Sequence, residues 1–344
     1  MIERQAVALE LSLVARGARP IAARTCIPPI HASPPIFVVA TLLTVPAIAV
    51  AAGLFTIDRG ELWPLFALFG MVAAFGWAFN RLNAARLGDV LWLSGMFYLV
   101  ALSVPLACAV LARTGLPYAD NALESIDRLL GFDWPAMIRQ YQAHPRVAGA
   151  LRTVYTTLNW EPQLAIVLLC VFRPGLPAYR FLTAWSLCLL LTTGIFPFVP
   201  AVSAFNHYRL DPADMHGPIL QYVWKLHATM DGLRSGADTV LGTDNLIGLV
   251  TMPSFHAAAA VMLGWAFWSL RWLRWPFVTL NAVMIVSAMP VGGHYLADLL
   301  AGAMLAVVSI LAATRLHRAL SVGDGDGDGN REGDRPGLLR ASAA

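Results

Sequence analysis

Residues 292–313 read "GGHYLADLLAGAMLAVVSILAA", a run long and apolar enough to cross a bilayer. The run contains His294 and Asp298, although polar groups in hydrocarbon are costly unless they face a bundle interior or a wet cavity. The whole chain has this apolar character, because 58% of its 344 residues are hydrophobic and 13% are charged, with a mean hydropathy of +0.62. A soluble domain is about 25% charged. The sequence therefore predicts an all-α, polytopic transmembrane helix bundle.

Eight apolar stretches of the length needed to cross the hydrocarbon core predict eight spans. The predicted spans are 35–57, 63–81, 89–112, 148–172, 178–199, 253–272, 275–292 and 294–315. An even number of spans puts both termini on one side, and 15 of the 24 Lys and Arg residues lie in the segments on that side. By the positive-inside rule we expect both termini to be cytoplasmic, in a multi-pass protein of the cell (inner) membrane.

Four segments lie outside the predicted spans. Residues 1–34 are expected to form a cytoplasmic N-terminal segment, and residues 317–344, rich in Gly and Asp, a disordered cytoplasmic tail. On the outer side, segments 114–147 and 200–252 are too long to be plain turns, and helical spacing in the first predicts two short helices. No basic cluster is dense enough to follow a nucleic-acid backbone, so a nucleic-acid partner is excluded.

A second histidine stands near the start of the sixth span, in "TMPSFHAAAAV" (251–261). The sixth and eighth spans both run inward from the outer side, so we expect His256 and His294 at the same depth of the membrane. Helix N-termini present free amide groups and the positive end of the helix dipole, which together attract phosphate. Two such helix ends could therefore face one phosphate.

These residue types fit phosphoryl transfer through a covalent phosphohistidine. On a helix, His294 and Asp298 would share a face, so that the carboxylate fixes the imidazole tautomer and leaves the other nitrogen as the nucleophile. His256 would protonate the leaving alkoxide and then deprotonate the incoming water or alcohol. Ser254 and Gly293, with the flanking amide groups, would hold the non-bridging phosphate oxygens.

The fourth span contains the polar stretch "YTTLNWEPQ" (155–163). Polar groups on a membrane helix are expected to face a bundle interior or a wet cavity. We therefore predict that a cavity is lined by Tyr155, Asn159, Glu161 and Gln163. For Glu161, a position at the membrane interface without a role is an equal alternative.

"PSFH" at 253–256, followed by "GGHYLAD" at 292–298, resembles two signatures of the type 2 phosphatidic acid phosphatase superfamily, usually written P-S-G-H and S-R-x5-H-x3-D. The layout is most similar to the branch of inositol phosphorylceramide synthases and bacterial inositolphosphotransferase-like proteins. The resemblance implies a metal-independent enzyme without a cofactor. By the same resemblance, His294 is the nucleophile, Asp298 its orienting acid and His256 the general acid and base.

The resemblance also implies a six-helix catalytic core, here residues 89–316, so the two spans within residues 35–88 are expected to be accessory. It extends loosely to "IDRLLGFDWP" (126–135), which is similar to a segment preceding the core in bacterial members. Two elements of the pattern are missing, since Ala288 stands where the signature has arginine and no K-x6-R-P motif lies on the outer side. The cations that hold phosphate must then come from elsewhere, and we favour Arg209 and Lys225.

The expected activity is that of a lipid-phosphate phosphotransferase or phosphatase whose site faces outward. Its substrate would be a membrane lipid carrying a phosphate or a phosphoryl headgroup, and a polyol such as inositol is a candidate acceptor. The alternative is a simple phosphatidate or polyprenyl phosphate phosphatase. A metal-dependent hydrolase is disfavoured because the H-E-x-x-H pattern is missing, and a transporter because no internal repeat is visible. A non-catalytic scaffold would form no phosphoenzyme.

Overall fold

The computed structural model describes residues 29–210, 221–243, 246 and 248–329, which form an all-α bundle, as predicted. Its α-helices are α1 (Ser33–Ala51), α2 (Arg59–Arg81), α3 (Ala85–Leu111), α4 (Asp120–Leu129), α5 (Trp134–Ala143), α6 (Pro145–Thr156), α7 (Glu161–Phe172), α8 (Leu176–Ile195), α9 (Ala204–His207), α10 (Gln221–Ser235), α11 (Phe255–Trp268), α12 (Arg274–Gly292) and α13 (Leu296–Gly329). Two short strands, β1 (Thr56–Ile57) and β2 (Val240–Leu241), pair in parallel.

Each predicted span has an apolar helix in its place. Six helices are long and apolar enough to cross a membrane, and these are α1, α2, α3, α8, α12 and α13. The other two apolar helices, α7 and α11, are shorter, at 12 and 14 residues. The chain is therefore a membrane protein with a helical bundle, while the orientation of its termini stays a prediction.

The predicted fourth span, 148–172, is wrong as a single helix. α6 ends at Thr156, a 3₁₀ turn covers Thr157–Asn159, and α7 begins at Glu161. Pro162 explains the break, because proline has no amide hydrogen for the helix ladder and its ring clashes with the preceding turn. The polar side chains of this stretch consequently point in different directions rather than along one stripe.

The centre of the bundle is α8, which packs against α1, α3, α11 and α13. Between apolar helices in a membrane, association depends on close van der Waals packing, and small residues permit it. α11 supplies such residues in Ala257–Ala260, which are completely or almost completely buried. α1 contacts both α3 and α8, whereas α2 packs mainly on α3. The assignment of residues 35–88 as accessory stays a prediction.

The predicted tail, 317–344, begins too early. α13 continues to Gly329, and His317 is buried, with Nδ1 2.9 Å from Nδ1 of His31 and Nε2 2.9 Å from the hydroxyl of Thr183. These contacts fix the first residues of the predicted tail inside the bundle. Residues 330–344 of the tail and residues 1–28 of the N-terminal segment lie outside the described part of the chain.

The two long outer segments carry the remaining short helices. Segment 114–147 contains α4 and α5, which confirms the two short helices predicted there, and runs into the start of α6. Segment 200–252 contains α9, α10 and β2, and its residues 211–220 lie outside the described part. Both segments contribute to the surroundings of the two predicted catalytic histidines.

The starts of α11 and α13 are joined at one level of the bundle. The amide of Ser254 donates to the carbonyl of Asp298 at 3.1 Å. One turn further along α13, Gly302 packs so closely on α11 that a Cβ atom there would clash with the carbonyl of Ser254. His256, in the first turn of α11, and His294, just before α13, therefore come close together, as the span count predicts.

We predict that Gly302→Ala destabilises the protein by about 1–3 kcal/mol, because the added methyl group forces α11 away from α13. The change is measured as a lower midpoint of thermal unfolding in detergent. The matched control is Gly264→Ala on α11, where a Cβ atom meets nothing within 4 Å. An equal midpoint for both variants would contradict the close approach at Gly302.

Candidate active site

His294 lies in a three-residue turn, Gly293–Tyr295, between α12 and α13; we call it the histidine turn. Gly293 has φ 69°, a left-handed conformation that favours glycine, and its amide donates to the carbonyl of Met289 at 3.0 Å, which ends α12. That amide is therefore already bonded within the fold, and it does not support the predicted phosphate-binding role of Gly293. Gly293 instead shapes the turn that presents His294.

His294 and Asp298 are adjacent, but they do not share a helix as the sequence suggested. Asp298 is the third residue of α13, and its Oδ2 accepts a hydrogen bond from the amide of Tyr295 at 3.0 Å, as in a capping box. The same oxygen lies 3.4 Å from Nδ1 of His294. Because Nδ1 faces the carboxylate, Nε2 is the nitrogen left for a substrate.

His256 lies in the first turn of α11 and faces the histidine turn. Its ring centroid is 6.3 Å from that of His294. Tyr155 of α6 stacks on His256 with centroids 3.9 Å apart, and its hydroxyl lies 3.3 Å from Nδ1 of His256. Tyr155, predicted only to line a cavity, is thus the direct partner of the second histidine.

The two histidines face one cavity of about 310 Å³. Its lining comes from α6 and the following turn, α10, the 248–251 segment, the start of α11, the end of α12 and the histidine turn. It consists of Tyr155, Thr156, Leu158, Asn159, Val223, Leu226, Gly248, Val250, Thr251, His256, Gly292 and His294. Asn159 and Tyr155 thus lie where they were predicted. Within the described residues, the lining includes no Lys or Arg.

Glu161 and Gln163 do not line this cavity, contrary to prediction. Glu161 is fully buried, where it accepts hydrogen bonds from the amide of Asn281 on α12 and from the hydroxyl of Thr157 at 3.2 Å. Gln163 donates to the hydroxyl of Ser94 on α3 at 2.6 Å. Both side chains are therefore used between helices, because the break before α7 turns them away from the cavity.

The favoured cations, Arg209 and Lys225, do not line the cavity either. Both residues are exposed. Arg209 has φ 53° at the end of the turn that follows α9, and Lys225 lies on the exposed side of α10, whose Val223 and Leu226 face the cavity. The prediction that these two residues bind phosphate is therefore not supported by their positions.

Ser254 is buried and acts as the N-cap of α11, where its hydroxyl oxygen accepts from the amide of Ala257 at 3.4 Å. It lies beside the site without lining the cavity, so its predicted contact with phosphate remains untested. The first amides of α11, at Phe255 and His256, have no carbonyl four residues earlier within their own helix. This end of α11 is the helix N-terminus suited to an anion.

The N-terminus of α13 is closed by a residue that the sequence analysis missed. Asp127 of α4 accepts from the amides of Leu296 and Ala297, both at 2.9 Å. The amides of Tyr295, Leu296 and Ala297 are thus bonded to carboxylates, which does not support the prediction that the start of α13 faces phosphate. The "IDRLLGFDWP" stretch was the available signal, but a partner 169 residues away could not be inferred from it.

Comparison with known proteins identifies the family. The family model described as PAP2 superfamily matches residues 121–312, more than half of the chain. The chain belongs to the PAP2 superfamily. The matched region includes both histidines, Asp298 and Asp127. No curated protein and no solved structure matches the chain.

Membership of the PAP2 superfamily, together with the apolar membrane helices, is consistent with a lipid phosphatase or phosphotransferase in general. The finer branch suggested by the motifs, that of inositol phosphorylceramide synthases, remains a hypothesis.

We predict that Tyr155→Phe lowers the turnover rate about threefold to tenfold, since it removes one hydrogen bond to His256 worth about 1 kcal/mol and keeps the stacked ring. Phosphate release by the purified variant is the measurement. Tyr141→Phe is the matched control, because the hydroxyl of Tyr141 donates to the carbonyl of Ala148 rather than to a histidine. Equal rates for wild type and Tyr155→Phe would contradict a role for the Tyr155 hydroxyl in turnover.

Proposed function

We propose that the chain is a metal-independent lipid-phosphate phosphatase or phosphotransferase that works through a phosphohistidine. The observation that carries the proposal is the pair of histidines facing one cavity, with the first held by a buried carboxylate and the second by a tyrosine. Among the described residues, no group of three or more His, Cys, Asp or Glu side chains could hold a metal ion.

In the first step, Nε2 of His294 attacks phosphorus while the bond from phosphorus to the leaving alkoxide breaks. Protonated His256 gives its proton to that alkoxide. In the second step, neutral His256 takes a proton from water or an alcohol, whose oxygen attacks phosphorus and releases His294. Asp298 holds the tautomer of His294 and stabilises the positive charge that the ring carries in the intermediate.

The phosphate oxygens would be bound at the start of α11. Helix dipole and free amides attract an anion there, whereas α13 offers the carboxylates of Asp127 and Asp298 at its own start. The hydroxyl of Tyr155 and the amide of Asn159 are further donors along the cavity. We propose this neutral set of donors in place of the cation pair that the superfamily signatures would supply.

Hydrolysis and transfer differ in what attacks the phosphohistidine. Transfer to a polyol such as inositol needs several placed hydrogen-bonding groups, and two of the four predicted, Glu161 and Gln163, are bonded elsewhere. Tyr155 and Asn159 remain on the cavity wall. We propose that the enzyme acts on a membrane lipid phosphate, with its site at the outer face and both termini cytoplasmic, and that a polyol competes with water as acceptor.

The roles proposed for the two histidines and Asp298 predict a different loss of activity for each substitution. His294→Ala should form no phosphoenzyme, and Asp298→Asn should lose roughly 10² to 10⁴ in rate, the scale seen when an orienting carboxylate is removed from a catalytic histidine. His256→Ala should still be phosphorylated by p-nitrophenyl phosphate, whose leaving group needs no proton, but not by a lipid phosphate. The control is His227→Ala on the exposed side of α10. A fully active His294→Ala enzyme would end the nucleophile assignment.

Substrate and acceptor are tested together. The purified protein is given phosphatidate, polyprenyl phosphate and phosphoryl-headgroup lipids in detergent with EDTA, with and without inositol. Free phosphate and new lipids are followed by mass spectrometry. We expect phosphate release that EDTA does not reduce, and a new inositol phosphate lipid would establish transfer. Fast release that inositol does not divert would leave a phosphatase, and no product from any lipid would contradict the proposal.

A further inference from the structure

The histidine turn is held from outside the membrane bundle by the outer hairpin, which we define as α4, α5 and the loop between them. Asp127 of this hairpin bonds the first amides of α13, as described above. Trp134, the first residue of α5, donates from its indole nitrogen to the carbonyl of His294 itself at 3.1 Å. Two side chains seven residues apart thus bond the residue proposed as nucleophile and the helix that follows it.

The two side chains that make these bonds, Trp134 and Asp127, are buried and held by neighbouring groups. Trp134 is 1% exposed and is held between Tyr208, which stacks on it, and Phe205, which meets it edge-on, each with centroids 5.4 Å away. Asp127 is 2% exposed, and burial raises the pKa of its carboxyl while the amides of Leu296 and Ala297 oppose that rise. A buried acceptor with both oxygens bonded is costly to remove.

A third contact joins the hairpin to the turn. The hydroxyl of Tyr295 donates to Oδ1 of Asp120, the first residue of α4, at 3.1 Å. Asp120 also accepts from the amide of Val202, at 3.0 Å to Oδ2. Burial and the neighbouring Asp120 carboxylate raise the pKa of the Tyr295 phenol, which therefore stays protonated as the donor.

The turn needs such support because it has no regular structure of its own. His294 follows the left-handed Gly293 and precedes α13, and the one backbone bond of its amide, to the carbonyl of Ala288 on α12, is long at 3.4 Å. Oδ2 of Asp298 serves both the Tyr295 amide and Nδ1 of His294, and a shared acceptor alone holds the ring weakly. A misplacement of 1 Å at a reacting group can cost about 10²-fold in rate.

Asp127 carries a negative charge at a helix end that could otherwise bind an anion. A carboxylate there interacts favourably with the helix dipole, but it repels a phosphate and occupies the amides that a phosphate would use. Asp127 is therefore suited to holding α13 and not to binding a phosphate substrate. Losing it should therefore lower turnover without weakening substrate binding.

We propose that Asp127 and Trp134 are positioning residues, and that the outer hairpin sets the attack geometry of His294 without touching the substrate. This inference rests on the proposed phosphohistidine function. It assigns to segment 114–147 a role in the chemical step beyond covering the site.

The test compares full-length Asp127→Ala, Asp127→Asn and Trp134→Phe with wild type. Using p-nitrophenyl phosphate and phosphatidate in detergent, we expect Asp127→Ala to lower kcat about tenfold to a hundredfold, with KM within about twofold. Asp127→Asn keeps one acceptor oxygen and should recover part of the loss. Trp134→Phe removes only the indole donor and should fall between Asp127→Asn and wild type. An unchanged kcat in Asp127→Ala and Trp134→Phe overturns the inference.

The matched control is Asp133→Ala in the same hairpin, where Asp133 caps α5 through the amide of Ala136 at 2.8 Å and does not contact the histidine turn. Hydrogen exchange of the peptide covering residues 293–299 gives a readout that does not depend on activity. It should quicken in Asp127→Ala and stay near wild type in Asp133→Ala, and equal exchange in both overturns the inference. A wild-type protein that turns over neither substrate refutes the proposed function, while the exchange result still decides on the hairpin.

Discussion

The site depends on the close approach of the starts of α11 and α13. One backbone bond, from the amide of Ser254 to the carbonyl of Asp298, sets the two helix starts at the same level, and Gly302 lets the helices touch. Without that contact the two histidines, 38 positions apart in the sequence, would have no reason to face one cavity. In hydrocarbon, such contacts rely on small residues and paired polar groups, since the membrane gives helices no hydrophobic reason to associate.

Two parts of the molecule divide the work of building the site. The membrane helices fix how far apart the two histidines lie, and the outer hairpin fixes the backbone of the turn that carries His294. This division explains why the α13 end is closed by carboxylates while the α11 end keeps its first amides. The two helix ends would therefore act differently on a phosphate. The start of α11 would bind its oxygens, and His294, just before α13, would attack phosphorus.

Buried polar groups away from the cavity serve the packing of the bundle. Glu161 joins α7 to α12 through Asn281, Gln163 joins α7 to α3, and His317 joins the end of α13 to α8 through Thr183. A polar side chain in an apolar interior needs a partner, and these pairs give each of these side chains at least one across a helix interface. A polar residue on a membrane helix can thus serve helix packing as well as line a substrate path.

Hydropathy and short motifs are local properties, so the sequence alone predicted the all-α membrane class, an apolar helix within each of the eight predicted spans, and His256, His294 and Asp298 as the site candidates. Tertiary structure alone decided which polar residues reach the cavity. Pro162 broke the fourth span and turned Glu161 and Gln163 away, which a composition count could not show. Asp127 and Trp134 came to the histidine turn across more than 150 residues, and such contacts arise only once the chain has folded.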